Sequence, residues 1–359
     1  MIRGARASLL VACVAVAAAC GGASTPAGGV DGPAATGDDG GSSGDPGSTS
    51  GGLPGVTDGG PPPTGVDTVS IIVEPTDKAG ALLAAIQAAT TSVHMTMYLL
   101  DDTRFISALI AQHTAGRDVK VVLNKVFPGG AGTNQKAFTA LQSGGVSVVW
   151  APTTFTLTHE KSVLIDGTSA WIMTMNLEIT SSQNREFLAL DTQQADVAEA
   201  EAIFAADFTG TAITPTGDLL VAPVNARDRL LQLIQSAKTS VDVEAEELSD
   251  YKIVNALAAA VGTGAKVRVV LATNAPTPAQ STAVTQLKAA GVHLVSVGKP
   301  YIHAKALVAD GVRAYVGSEN FTTGSLQYNR ELGLITSNVA SATKVSQTIG
   351  QDFASGSPL

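Results

Sequence analysis

The 359-residue chain holds only two cysteines, Cys13 and Cys20, and its aromatic content is only 4%. Cys13 lies in a segment that reads as removable, so no disulfide is expected in the mature chain and stability must come from the packed core. Beyond the first twenty residues, no stretch approaches the roughly 20 consecutive apolar residues that a spanning helix needs, which excludes a polytopic helical membrane protein. Basic residues are scarce as well: 22 Lys and Arg face 31 Asp and Glu, a formal balance of −9. Setting aside Arg3 and Arg6 in the removable segment leaves 20 against 31, or −11. Nucleic-acid binders draw much of their affinity from Lys and Arg neutralising phosphates, so a dedicated role of that kind is disfavoured. What is present is an ordinary 45% of hydrophobic residues, which excludes a wholly disordered chain. The length suits one large or two medium domains.

Arg3 and Arg6 form a basic head, Leu9 to Val16 an apolar run, and Ala17-Ala18-Ala19 a small-residue cleavage site. This reads as a secretory signal and is left out of the fold. Val16-Ala17-Ala18-Ala19-Cys20 resembles the lipobox of bacterial lipoproteins. The resemblance implies that the Cys20 thiol is lipidated, that Cys20 becomes the mature N-terminus, and that the protein is anchored in the bacterial cell envelope, at the outer membrane or facing the periplasm. Residues 21–66 contain no Lys or Arg and are nearly all Gly, Ser, Thr, Pro, Ala and Asp. Such a composition cannot bury enough apolar surface to offset its ordering entropy, so the segment reads as a disordered tether. A flexible coil of that length has an r.m.s. reach of roughly 35–40 Å.

From about Asp67 the chain alternates β-rich apolar runs with helical segments, the pattern of an α/β fold. Strands are expected over Val69–Val73, Ser92–Leu100, Val119–Asn124 and Val146–Trp150, and helices over Lys78–Ala89, Arg104–Ala115 and Gln135–Gln142. The order then returns. Thr91-Ser92-Val93 recurs as Thr239-Ser240-Val241, and Val119-Lys120-Val121-Val122-Leu123 as Val267-Arg268-Val269-Val270-Leu271, both at an offset of 148; after shorter loops, later motifs recur at 144. A repeat this long suits two homologous α/β halves, 67–212 and 213–359, packed about a pseudo-twofold with one composite site at their interface. A monomer is expected.

In the second half, His303-Ala304-Lys305 is followed by Asp310, Gly317-Ser318-Glu319-Asn320 and Asn329-Arg330-Glu331. In the first, His159-Glu160-Lys161 is followed by Asp166, Met173-Thr174-Met175-Asn176 and Asn184-Arg185-Glu186. A single His with Lys two residues later is a common surface accident, but two full sets in matching positions are not. The pair of sets resembles the duplicated His-x-Lys-x4-Asp-x6-Gly-Ser-x-Asn signature of the phospholipase D superfamily, over nearly all of residues 67–350. The first copy departs at Met173 and Thr174, where the family has Gly and Ser. Thr174 keeps a hydroxyl, whereas Met173 is expected to narrow that side of the site.

The residue types suit phosphodiester chemistry on their own terms. The anionic substrate repels nucleophiles, so fixed positive charge and hydrogen-bond donors are needed around its oxygens. Lys161, Lys305, Asn176, Asn320, Ser318 and Thr174 are the expected donors. One neutral imidazole attacks phosphorus while an imidazolium across the phosphate protonates the departing alkoxide, and His159 and His303 are that pair. The resemblance leans towards His159 as nucleophile and His303 as acid. It also implies that a carboxylate 27 or 28 positions downstream holds each histidine's other nitrogen, pairing Glu186 with His159 and Glu331 with His303. Asp166 and Asp310 are expected to close the turns that shape each half-site.

His94, His113 and His293 are read as structural. No cofactor and no metal are expected, since the mature chain has no Cys besides the anchor and no His cluster with ligand spacing. Asp242, Glu244 and Glu246 alternate along an expected strand. They read as a solvated strand edge or, more sharply, as an acidic wall that favours a cationic headgroup. The expected activity is hydrolysis of glycerophospholipids to phosphatidic acid and a headgroup alcohol through a phosphohistidine. The partners are therefore a phospholipid substrate and a membrane held through the lipid anchor. The alternatives are a non-specific nuclease of the same superfamily, a cardiolipin synthase-like phosphatidyl transferase, and a binding lipoprotein with a vestigial site.

Overall fold

The computed structural model describes residues 68–127, 133–274 and 276–359; the expected signal, Cys20 and the expected tether lie outside the described residues. A compact unit runs from Asp67 to Leu359. Its first half comprises β1 (Ser70–Glu74), α1 (Gly80–Ala88), β2 (Ser92–Met97), α2 (Thr103–Thr114), β3 (Asp118–Leu123), α3 (Gln135–Ser143), β4 (Ser147–Trp150), β5 (Lys161–Ile165), β6 (Ser169–Met173), β7 (Glu186–Asp191) and α4 (Gln194–Thr209). The second half comprises β8 (Leu220–Ala222), α5 (Ala226–Ser236), β9 (Ser240–Ala245), α6 (Tyr251–Gly262), β10 (Lys266–Ala272), α7 (Pro278–Ala289) and β11 (His293–Val297). It continues through β12 (Lys305–Ala309), β13 (Arg313–Gly317), α8 (Thr323–Tyr328), β14 (Glu331–Thr336), α9 (Val339–Ser355) and β15 (Ser357–Pro358).

The two sheets repeat one topology. The first has the order β1-β7-β6-β5-β2-β3-β4, and the second, read from β8, has β8-β14-β13-β12-β9-β10-β11 with β15 added at the far edge. In each, three parallel strands carry the helical crossovers and the rest run antiparallel. The helices begin on matching caps: Asp102 accepts from the backbone N–H of Arg104 at the start of α2, and Asp250 from those of Lys252 and Ile253 at the start of α6. The expected first-half elements are all present. Helix α1 begins two residues late because Lys78 and Ala79 sit at φ 58° and 55°, turned back so that the Glu74 carboxylate accepts from their N–H groups.

Each half keeps its own core beneath its outer helices, built on α1 to α3 in the first and on α5 to α7 in the second. A third core joins the halves. It combines Val122, Leu164, Ile172 and Ala189 of the first sheet with Val270, Ala306, Val308 and Leu332 of the second, and adds Ile203 of α4 and Ile349 of α9. Helix α9 also grips the opposite half: Ser341 Oγ and Lys344 Nζ donate to the carbonyls of Val69 and Ile71. A shared apolar core of this kind holds the two half-sites in fixed register.

Candidate active site

Both histidines stand just before a strand whose first residue is a lysine, β5 for His159 and β12 for His303. The segments carrying them cross to the other half. The N–H groups of His159 and Glu160 donate to the carbonyl of Arg330, whose own N–H donates to Leu157 O at 2.9 Å. In the mirror arrangement, Arg185 N–H donates to Tyr301 O at 2.8 Å and His303 N–H to Arg185 O at 3.3 Å. Buried ion pairs brace these crossings, Arg330 with Asp207 and Arg185 with Asp352. The residue after each arginine is the first of β7 or β14, namely Glu186 or Glu331. Each glutamate is thereby delivered beside the histidine of the opposite half.

The carboxylate pairing is therefore the reverse of the one the resemblance implied. His159 Nδ1 lies 2.8 Å from Glu331 Oε2, and His303 Nδ1 lies 2.8 Å from Glu186 Oε1. Glu331 is fixed in turn by Ser325 Oγ at 2.6 Å and Asn329 Nδ2 at 3.2 Å, and Glu186 by Thr174 Oγ1 at 2.5 Å. Nδ1 of His159 is hydrogen-bonded to its carboxylate and Nδ1 of His303 stands against one, which leaves Nε2 of each ring for chemistry.

Lys161 and Lys305 have no exposed surface. Each donates to the carbonyl of its own half's histidine, at 2.6 and 2.5 Å. Beyond that the half-sites differ. Lys161 Nζ stands 4.8 Å from the Tyr98 ring centroid, and Tyr98 also meets the His159 ring edge-on at 4.5 Å. Lys305 Nζ instead donates to Glu246 Oε2 at 2.7 Å, and the same oxygen lies 3.5 Å from His303 Nε2. Glu246 is a site residue that the strand alternation of 242, 244 and 246 suggested only as part of an acidic run. That run is neither a solvated edge nor a wall. β9 is an inner strand, Asp242 is buried against Arg268 at 2.7 Å, and Glu244 is fully buried, its carboxyl pushed well above the usual range by burial and by Asp352 beside it.

Thr174 and Ser318 sit one layer behind the place expected for them. Both are fully buried, and their hydroxyls accept from the N–H groups of Phe187 and Leu332 at 3.0 and 3.1 Å. Their hydroxyls hold the start of strands β7 and β14. Asn176 is buried and Asn320 half-buried; in both, Oδ1 has no hydrogen-bond partner among the described residues. Met173 does not narrow the site. It is fully buried in the outer core of its half, across from Leu188. In the second half Gly317 lies opposite Gly333, and a Cβ on Gly317 would fall 2.4 Å from Glu319 Oε2 and 2.7 Å from the Tyr315 hydroxyl, so only glycine fits. The first half fills that volume with Met173, Met175 and Trp171.

Asp166 and Asp310 take φ values of 56° and 54° and accept the N–H groups of Thr90, Thr91 and Ser92 and of Lys238, Thr239 and Ser240, respectively. Burial opposes their ionisation, but the stacked N–H donors hold Asp310 down at about 2 and Asp166 lower still. They tie strands β5 and β12 to β2 and β9. His94 is bound to Glu201 at 2.7 Å and stacks on Phe204, a structural use.

The electrostatics of the two half-sites differ as their contacts do. Burial pulls His159 down to about 4; Glu331 opposes this, and Lys161 and Lys305 add to it, so the ring is neutral at physiological pH. Lys161 is brought down to about 7, chiefly by burial, with Glu331 pulling it upward and Lys305 downward. Burial alone would protonate Glu246, yet His303 and Lys305 prevail and hold its carboxyl well below the usual range. Glu331 is likewise held ionised against its burial by His159 and Lys161. An open cleft of about 970 Å³ lies alongside, with Thr180, Asn184, Lys299 and Tyr301 among its walls. The Tyr301 hydroxyl donates to Glu246 at 3.1 Å.

The model of the domain described as "Cardiolipin synthase, PLD-like domain" matches the chain twice, over residues 82–208 and 230–354. No match was found among curated proteins. Among solved structures, phosphatidylserine synthase of Haemophilus influenzae Rd KW20 aligns at a TM-score of 0.63 and 10% identity, covering 81% of this chain and 87% of that one. Polyphosphate kinase of Porphyromonas gingivalis also aligns at 0.63, with 14% identity and 79% of this chain covered; the chain spans 46% of that enzyme. Nuc of Salmonella typhimurium shares 26% identity over 39% of this chain and 95% of its own, at a TM-score of 0.38.

Proposed function

The chain belongs to the family of phospholipase D-like domains, and from that premise we propose that it is a phosphodiesterase hydrolysing glycerophospholipids to phosphatidic acid and the headgroup alcohol. The observation that carries the reading is the pair of imidazoles, each with Nδ1 against a carboxylate of the other half, flanked by two fully buried lysines.

The reaction follows from these groups. Neutral His159 attacks phosphorus through Nε2, forming a nitrogen–phosphorus bond as the bond to the headgroup oxygen breaks. His303 gives its Nε2 proton to that departing oxygen. Lys161 and Lys305, with the amides of Asn176 and Asn320, offset the charge on the phosphoryl oxygens. Neutral His303 then takes a proton from water, whose oxygen displaces His159 and releases phosphatidic acid. Glu331 and Glu186 fix the tautomers and stabilise whichever ring is charged.

The expected lipid anchor at Cys20 and the acid-rich composition support a membrane-derived substrate over a polynucleotide. The anchor would hold the enzyme in the cell envelope, its tether letting the body sample the membrane surface. A second reading is favoured by the name of the matched domain model: a lipid alcohol takes the place of water in the second step, giving phosphatidyl transfer. The deciding experiment incubates the purified protein with mixed phospholipids and with plasmid DNA in chelator, with and without glycerol or phosphatidylglycerol. Phosphatidic acid without DNA cuts supports hydrolysis, and a new phosphatidyl ester supports transfer. DNA cuts without lipid products would reject both.

A further inference from the structure

We infer that Glu246 gives this two-fold site its direction, as the positioning residue that assigns the acid role to His303. The inference rests on the phosphohistidine reading above and adds to it the cause of the asymmetry.

The offset of 148 that relates Ser92-Val93 to Ser240-Val241 relates Tyr98 to Glu246. The backbone agrees: Tyr98 N–H donates to Glu160 O and Glu246 N–H to Ala304 O, both at 3.1 Å, each at the end of equivalent strands β2 and β9. One position of the repeat thus carries an aromatic ring in the first half and a carboxylate in the second. Tyr98 offers His159 an apolar edge and Lys161 a π face. Glu246 offers His303 Nε2 and Lys305 a full negative charge.

Of the other charged groups around His303, Lys305 opposes a charge on the ring and the carboxylates favour one. Glu186 from β7 lies at its Nδ1, and Glu178, just past β6, and Glu247, next to Glu246, feel its charge. Glu178 has no acidic counterpart, since Thr322 stands at its place in the second half. His159 has one carboxylate in contact, Glu331 at its Nδ1, while Glu246 reaches it only through space and Lys161 and Lys305 oppose a charge on it. The two rings therefore differ in what faces them: a carboxylate stands at Nε2 of His303 and an aromatic edge at His159. A diester then has one productive orientation, with its leaving oxygen towards His303 and the retained phosphatidyl group towards the other side. Lys305 and the Tyr301 hydroxyl pin Glu246 in place, so this bias is built in before substrate arrives.

The test compares phosphatidylethanol, a poor leaving group that needs an acid, with phosphatidyl-p-nitrophenol, which needs none, in the full-length protein and in Glu246→Gln and Glu246→Asp. In Glu246→Gln the loss of kcat/KM on phosphatidylethanol should exceed that on phosphatidyl-p-nitrophenol by about 30-fold or more, within the usual range of general acid catalysis. Glu246→Asp should recover part of that difference. A damaged fold or a loosened Lys305 would weaken phosphate binding and depress both substrates equally. Equal losses on the two substrates in Glu246→Gln would overturn the inference while leaving the phosphohistidine reading intact. A full-length protein that forms no phosphoryl adduct would overturn that reading and the inference with it.

Discussion

His159 Nδ1 lies 2.8 Å from Glu331 Oε2, a carboxylate 172 positions further along the chain and in the other half of the molecule. Neither half therefore owns a complete catalytic group. Glu331→Gln should impair the nucleophile, and Glu186→Gln the acid. With a p-nitrophenol leaving group, Glu331→Gln should slow the first turnover by on the order of 100-fold, while Glu186→Gln should leave it far less affected. Burst kinetics decide the matter, and the opposite ranking would restore the within-half pairing.

Much of this was legible in the sequence. The duplication, the α/β order and the residues His159, Lys161, His303 and Lys305 follow from repeat offsets and motif spacing, because strands buried in a sheet and residues repeated around one site both leave a fixed period. The partner of each histidine was not legible. Glu186 is 27 residues from His159, but distance along one chain does not reveal that Arg185 pairs with the segment of Tyr301 and His303 across the interface. Glu246 was hidden by its neighbours, since alternation with Asp242 and Glu244 mimics an exposed strand face. Its difference from Tyr98 becomes meaningful only when the two halves are superposed on their backbone hydrogen bonds.

Acid should be tolerated unusually well. His159 must be neutral to attack, and burial holds it neutral down to about pH 4. The acid limb of kcat/KM should therefore lie near 4, well below the 6.5 of an ordinary imidazole, with the rate falling as pH drops through it. In the other direction, Lys161 loses its charge as pH rises through about 7, which should begin the alkaline decline. An acid limb at 6 or above in a stably folded enzyme would contradict the buried, neutral nucleophile.

Charge on the phosphate is met by lysines, so activity should persist in excess chelator. Lys161→Met or Lys305→Met should each raise the barrier by roughly 3–4 kcal/mol, a loss of about 10²–10³ in kcat. Lys305→Met leaves Glu246 without its ion-pair partner and Lys161→Met removes a buried donor to the His159 carbonyl, so thermal melts must accompany the kinetics. Loss of activity on chelation, restored by a divalent ion, would contradict the site as drawn.

The proposed anchor at Cys20 is expected to be separable from the chemistry. Cys20→Ser should move the protein from the membrane fraction to the soluble one while leaving turnover of a short-chain, dispersed phospholipid unchanged. Continued membrane fractionation of the variant would rule out lipidation at Cys20 as the attachment.

The covalent intermediate commits the two histidines to their roles. An imidazole that attacks phosphorus becomes a phosphohistidine, so two in-line displacements should retain configuration at a chiral phosphorothioate, and added alcohol should compete with water for the adduct. His159 is the neutral ring, and His303 the ring surrounded by carboxylates. His159→Asn should therefore abolish attack on every substrate. His303→Asn should retain slow attack where the leaving group departs without a proton, and should also accumulate the adduct, because no base remains to activate water. Mass spectrometry of enzyme quenched without acid should place the phosphoryl group on the peptide containing His159. Finding it on His303 would reverse the assignment, and inversion of configuration would remove the two-step mechanism altogether.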